Sequence, residues 1–295
     1  MTDVLSLAGV TVQFATDGLT EASPAVAEFS LTVAQGEIFG IVGESGSGKS
    51  TIANAIMGLL PLSCEVSGSI KFKDHDMLAL NEDGLRRLRG NDVAMIFQDA
   101  SASLDPTWSV GDQIAETIRA HNRISRAAAR TRAVSLMTEV GIPDAASRYA
   151  DAPHRLSGGM RQRIVIAAAL ANNPLLLIAD EPTTALDVTI QAQVLDLIQQ
   201  LRTRHGTTVV LITHDLGVIA QICDRVGVMH GGRLLEVAPV AELFANPQHP
   251  YTRALLAAHP AGTPRGKRLP VIPSEWSVKT LRAREVDVVE VVAPK

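Results

Sequence analysis

The chain has little cysteine, few aromatic residues and no long apolar run, and each scarcity removes a class of function. Its two cysteines, Cys64 and Cys223, stand outside any CxxC or Cys/His spacing. Neither a disulfide framework nor a zinc or dithiol motif is expected, and both thiols are expected to be reduced. Aromatic residues make up 3% of 295, too few for a stacking platform on single-stranded nucleic acid. There is no basic stripe either: 27 Lys and Arg against 31 Asp and Glu are spread along the chain, for a net charge of −4. Nucleic acid is therefore not an expected partner. No apolar stretch approaches the roughly 18 to 20 residues that span a bilayer. The opening MTDVLSLAGV has neither the basic start nor the apolar core of an export signal. Any membrane role is expected to come through partner proteins. Internal repeats and low-complexity tracts are also missing.

What is there is an ordinary globular composition, 46% apolar and 20% charged, on a chain long enough to bury a substantial core. VTVQF and FSLTV alternate like half-buried strands around the turn-rich ATDGLTEASP. EIFGIVG is a buried-strand pattern that ends in glycine and is followed by the helix-like STIANAIMGLL, and GSIKFK offers another strand. From about residue 82 to 171 the segments favour helix, which predicts a helical insertion in an α/β framework. PLLLIADEP and TTVVLITHD then bracket the helical IQAQVLDLIQQLRTRHG, the alternation of a parallel βαβ core. VGVMHGGRLLEV predicts a hairpin turning at His230, Gly231 and Gly232, and a short helix begins at Pro239 to Leu243. Beyond Asn246 repeated prolines interrupt long elements. The expected division is an α/β domain over 1–245 and an extension over 246–295, whose EVDVVEVV fits a strand or an unstructured end.

Gly43-Glu44-Ser45-Gly46-Ser47-Gly48-Lys49-Ser50 matches GxxxxGK[ST] between a strand and a helix. Glycines at this spacing let successive backbone N–H groups curl around phosphates, while the helix N-terminus adds its positive end. Lys49 would reach the β- and γ-phosphates, Ser50 would place a hydroxyl on Mg²⁺, and Thr51 begins the helix whose first amides lack partners. Asp180 and Glu181 close an aliphatic strand, at the carboxyl edge where ligands of open α/β sheets collect. Asp180 is suited to hold Mg²⁺ through its water shell, and Glu181 to polarise the water that attacks the γ-phosphate. Ser157 stands at an N-cap position before Gly158 and Gly159, a second helix start able to meet an anion.

The full set resembles an ABC-family nucleotide-binding domain: the phosphate loop, Gln98 after VAMIF, LSGGM, LLLIADEP, Ala185-Leu186-Asp187, and His214 after VVLIT. The resemblance implies a P-loop NTPase fold of the ABC type, with a mostly parallel core sheet, an antiparallel β-subdomain and an inserted helical subdomain. It also implies ATP and Mg²⁺ held between two head-to-tail domains. Ser157 and Gly159 of one chain would contact the γ-phosphate bound by the other. Gln98 would sense that phosphate through Mg²⁺ and the attacking water, Asp187 would carry signals across the dimer, and His214 would hold Glu181 and its water in line. Phe14 is the candidate aromatic for stacking on adenine. Its separation from Lys49 is longer than usual in the family, and core packing is the alternative.

GESGSGKS, MIFQDASASLDP, LSGGMRQRIVIAAALANNP, LLIADEPTTALDVTIQAQVLDLI, THDLGVIA and HPYTRALL are similar to the ATPases of oligopeptide, dipeptide and nickel permeases. RLRGNDVAMIFQD and VTIQAQ are closer to the first ATPase of such paired systems. The resemblance implies an importer subunit peripheral to the cytoplasmic face of a bacterial inner membrane. Its partners would be a sister ATPase (a homodimer forming in isolation), two permease subunits and an extracytoplasmic solute-binding protein. Many members carry a cysteine cluster after the HPYT segment; with no cysteine beyond Cys223, an iron–sulfur centre is not expected here. Ala100 replaces the usual proline after Gln98-Asp99, which alters loop stiffness without removing a ligand. His249-Pro250-Tyr251-Thr252 is expected to be a structural marker in an exposed tail, and Arg161 and Arg163 a solvated basic face. The alternative function is a soluble ABC ATPase accessory to a metabolic enzyme complex, such as one for phosphonate breakdown.

Overall fold

The computed structural model describes residues 2–15, 23–100, 102–184, 186–258, 276 and 289–290. The turn-rich stretch between the first two predicted strands and most of the C-terminal tail lie largely outside these residues. The chain forms two compact units, Met1–Ala79 with Leu211–Lys295, and Leu80–Val210.

In the first unit β1 (Asp3–Phe14) pairs antiparallel with β2 (Val26–Ala34). Leu5, Leu7, Val10 and Val12 are buried on β1, while the residues of β2 alternate in burial as its sequence does. β3 (Ile38–Val42) is apolar and wholly buried, and runs into α1 (Lys49–Met57), which Gly58 ends in the left-handed conformation at φ 62°. β4 (Cys64–Phe72) pairs with β1 and with β5 (His75–Asp76), giving a sheet ordered β2-β1-β4-β5.

The second unit opens with α2 (Glu82–Leu88), capped by Asn81. β6 (Val93–Ile96) comes next. A core strand thus lies inside the stretch expected to be helical. VAMI is too short for periodicity to separate strand from helix, and parallel pairing with a partner some 80 residues on decides it. Ser109 caps α3 (Val110–His121) and Ser125 caps α4 (Arg126–Glu139), each hydroxyl accepting an N–H in the first turn. The short α5 (Ala145–Arg148) precedes α6 (Gly158–Ala169) and β7 (Leu176–Asp180), which runs parallel to β6 with Ile96 opposite Ala179. α7 (Val188–His205) leads to β8 (Thr208–Thr213), along which the chain passes from the second unit into the first.

Back in the first unit, α8 (Leu216–Ile222) lies so close to β3 that a Cβ on Gly40 would meet Ile219 Cδ1 at 2.5 Å. β9 (Arg225–His230) is parallel to β3 and forms the expected hairpin with β10 (Arg233–Pro239), turning at Gly231 (φ 55°) and Gly232 (φ 84°). α9 (Val240–Ala245) and α10 (Pro250–Ala257) follow, and β11 (Val289–Glu290) adds a parallel bridge to β10. The HPYT segment is not an exposed tail. His249 is 5% exposed and Tyr251 and Thr252 are fully buried, Tyr251 sharing a core cluster with Ile219, Val226 and Val228. No helix among the described residues is long and apolar enough to cross a membrane.

Candidate functional site

β3 delivers a buried chain to Gly43, where a Cβ would stand 2.0 Å from the Met229 carbonyl oxygen and 2.9 Å from Ser47 Oγ. Only glycine fits there. Gly46 and Gly48 take φ of +78° and +99°, a region that side chains disfavour, and the chain between them curls until the Ser47 N–H donates to the Glu44 carbonyl at 3.2 Å. The Ser47 carbonyl accepts the Gly232 N–H at 3.0 Å, so the β9–β10 turn supports the loop. Lys49 is 5% exposed and its Nζ donates to the Gly43 and Glu44 carbonyls, both at 2.7 Å. Glu44, Ser45, Gly46 and Ser50 are exposed and Thr51 is half-buried. No side chain caps α1 and no acidic residue lies in its first turn, so its leading amides and positive end face the glycine curl without a competing acid. These residues fit a polyphosphate.

In the second unit the parallel register of β6 and β7 brings Gln98 and Glu181, each two residues past a paired position, to one carboxyl edge. Gln98 Nε2 donates to Glu181 Oε2 at 2.9 Å, and Thr184 Oγ1 donates to the same oxygen at 2.8 Å. The carboxylate is thus aimed by two donors. Its backbone is held at φ 47°, a left-handed conformation costing a non-glycine residue roughly 1–3 kcal/mol. Asp180, one residue earlier, is 4% exposed at the end of β7.

Ser157 caps α6, its hydroxyl accepting the Met160 N–H at 3.3 Å, and Ser157 and Gly158 are exposed. A Cβ on Gly159 would meet Ile190 Cγ2 at 2.7 Å. Ile190 is in turn fixed by Asp187, which caps α7 by accepting the Ile190 N–H at 2.9 Å. Asp187 and its neighbour Val188, 84% exposed, present an uncovered face. His214 is exposed just past β8. Phe14 ends β1 opposite Cys64 and is 40% exposed.

Residues 26–184 match the family model described as ABC transporter. The chain belongs to that family. Residues 235–282 of this ABC cassette also match the oligopeptide/dipeptide transporter C-terminal region. The cassette is 50% identical over 262 residues to the dipeptide transport ATP-binding protein DppD of Bacillus subtilis (strain 168), covering 88% of this chain and 78% of that one. It is 47% identical over 264 residues to the oligopeptide transport ATP-binding protein OppD of Lactococcus lactis subsp. cremoris (strain SK11), covering 89% and 78%. Among solved structures it resembles the dimeric post-hydrolysis state of the ATP-binding cassette MJ0796 bound to ADP and Pi, with a TM-score of 0.72 and 29% identity, over 80% of this chain and 98% of that one. Its fold is that of a P-loop NTPase of the ABC type.

The cassette also uses residues that its motifs did not announce. Thr184 shares Glu181 with Gln98, a side-chain contact that no local pattern announces. Arg163 is not part of a solvated face: its guanidinium donates to the Val140 carbonyl and, at 2.6 Å, to Gln193 Oε1, tying α6 to the C-terminal end of α4 and to α7. Met229 and Gly232, which shape the phosphate loop, carry no local signal, since their contacts cross some 180 residues of sequence.

Proposed function

We propose that this cassette is the ATP-binding and ATP-hydrolysing subunit of an ABC importer that takes up peptides or similar small solutes. The observation that carries the transport reading is its likeness, over 88% of its length, to a dipeptide transport ATP-binding protein. The loop Gly43–Thr51, with Lys49, binds the phosphates, and Phe14 offers its exposed ring to adenine. Ser50, Asp180 and Gln98 supply the oxygen donors that suit Mg²⁺, a hard cation. Mg²⁺ held there would supply positive charge against the negative charge that develops in phosphoryl transfer.

Glu181 is the general base for the attacking water. Gln98 and Thr184 position its carboxylate, and His214 assists by donating toward the γ-phosphate. Ser157, Gly158, Gly159 and Asp187 serve a nucleotide bound by a second cassette, so the working unit is a dimer with a sister ATPase. Two membrane permeases and an extracytoplasmic solute-binding protein complete the importer, with this chain peripheral to the cytoplasmic face. Purification of the tagged chain from detergent-solubilised membranes of its native host, followed by mass spectrometry, tests the assignment. Two polytopic permeases and a second ATPase are expected to come with it. Soluble enzyme subunits without a membrane protein would overturn the importer reading.

A further inference from the structure

The His249–Thr252 motif, unused by the hydrolytic chemistry, packs on His230 beside the β9–β10 turn. Glu236 on β10 is fully buried, and its two carboxylate oxygens accept the N–H groups of Gln248 (2.8 Å) and His249 (2.9 Å). His249 Nδ1 caps α10 by accepting the Tyr251 N–H at 3.1 Å. Tyr251 is fully buried and stacks on His230, ring centroids 4.2 Å apart and planes 25° from parallel. Trp276 packs on Tyr251 at 5.9 Å, and its backbone carbonyl meets His230 Nε2.

His230 is the last residue of β9, beside the turn whose Gly232 N–H holds the Ser47 carbonyl. Its ring is 1% exposed, and Nδ1 lies 3.8 Å from Glu44 Oε2, with no hydrogen-bond partner among the described residues. The Tyr251 hydroxyl is likewise buried, and it faces Glu44, whose backbone amide lies against it. Burial, with the Glu44 carboxylate adding to it, pushes this phenol well above its ordinary range. Both buried groups thus converge on Glu44, one residue of the phosphate loop.

We propose that His230 and Tyr251 are positioning residues of the phosphate loop, acting through Glu44 to set the curl from Gly43 to Ser47, so that the segment His249–Ala257 belongs to the nucleotide site. The inference rests on reading Gly43–Thr51 as that site. It also means that any force on the C-terminal segment is felt as a change in nucleotide affinity.

The test is calorimetric titration of the full-length chain with Mg-ADP. Tyr251→Phe keeps the ring stack and removes the hydroxyl; His230→Gln keeps polarity and removes the ring. Each is expected to weaken binding about three- to tenfold, toward the lower end of the couplings between neighbours, with melting temperature close to wild type for Tyr251→Phe. In a Glu44→Ala background neither change should weaken binding further. Wild-type affinity in Tyr251→Phe and His230→Gln, with binding lost in Lys49→Ala, would overturn the positioning role alone. Losses that simply add to that of Glu44→Ala would overturn the route through Glu44. Intact binding in Lys49→Ala would remove the nucleotide site itself and this inference with it. Should His230→Gln fail to fold, Tyr251→Phe decides.

Discussion

Glu181 joins two demands that ordinarily conflict: a strained left-handed backbone at φ 47° and a side chain that must point one way. The strain is tolerated because Gln98 and Thr184 both donate to Oε2. Glu181→Gln is expected to keep Mg-ATP binding while lowering steady-state hydrolysis by about 10²- to 10⁴-fold, the usual contribution of a general base. Near-wild-type turnover would assign the base elsewhere. At Gly43 the constraint is space, since a Cβ would sit 2.0 Å from a backbone oxygen that cannot rotate away. Gly43→Ala is therefore expected to cost at least about 2 kcal/mol in urea unfolding and to abolish nucleotide binding. Both residues were legible as site residues because their motifs are contiguous. Why Gly159 is glycine was only half legible, because Ile190, which its Cβ would strike, is 31 positions on.

At the scale of elements, α10 depends on a buried histidine for its N-cap. Burial is the main reason that His249 is held below its ordinary value of 6.5, with Arg253 and His230 adding to this and Glu236 opposing it. A histidine whose folded pKa is depressed takes up protons more readily when unfolded, so it costs stability as the pH falls below about 6.5. Melting temperature is expected to drop over that window, and to drop less in His249→Asn, whose side chain can still accept the Tyr251 N–H. Equal slopes in the two proteins would show that another group controls the titration. Glycine and proline punctuation and apolar periodicity made α1, α7, β7, β8 and the β9–β10 hairpin legible. β6 and the burial of α10 were not. Four apolar residues carry no period, and the burial of His249 depends on Glu236, a carboxylate 13 residues earlier whose role no local pattern announces.

For the whole molecule, Ser157, Gly158, Asp187 and Val188 are all exposed, at or beside the N-termini of α6 and α7. Such a surface suits a second cassette. In a Glu181→Gln background, Mg-ATP is expected to convert the chain from monomer to dimer in light scattering, and Ser157→Arg to prevent this while leaving nucleotide bound. ATP-dependent dimers of the Ser157→Arg chain would refute the shared site. The family was legible from the order of its motifs alone. The division of the chain was harder to read, because the break expected near residue 245 rests on proline spacing, a weaker signal than a contiguous motif. Glu236 makes that break an unsuitable place to cut. A shortened gene product ending before Gln248 would lose both amides that satisfy the Glu236 carboxylate. The C-terminal region is anchored to β10 through these two hydrogen bonds. Recombination between relatives should exchange it only together with the β10 strand that carries its anchor.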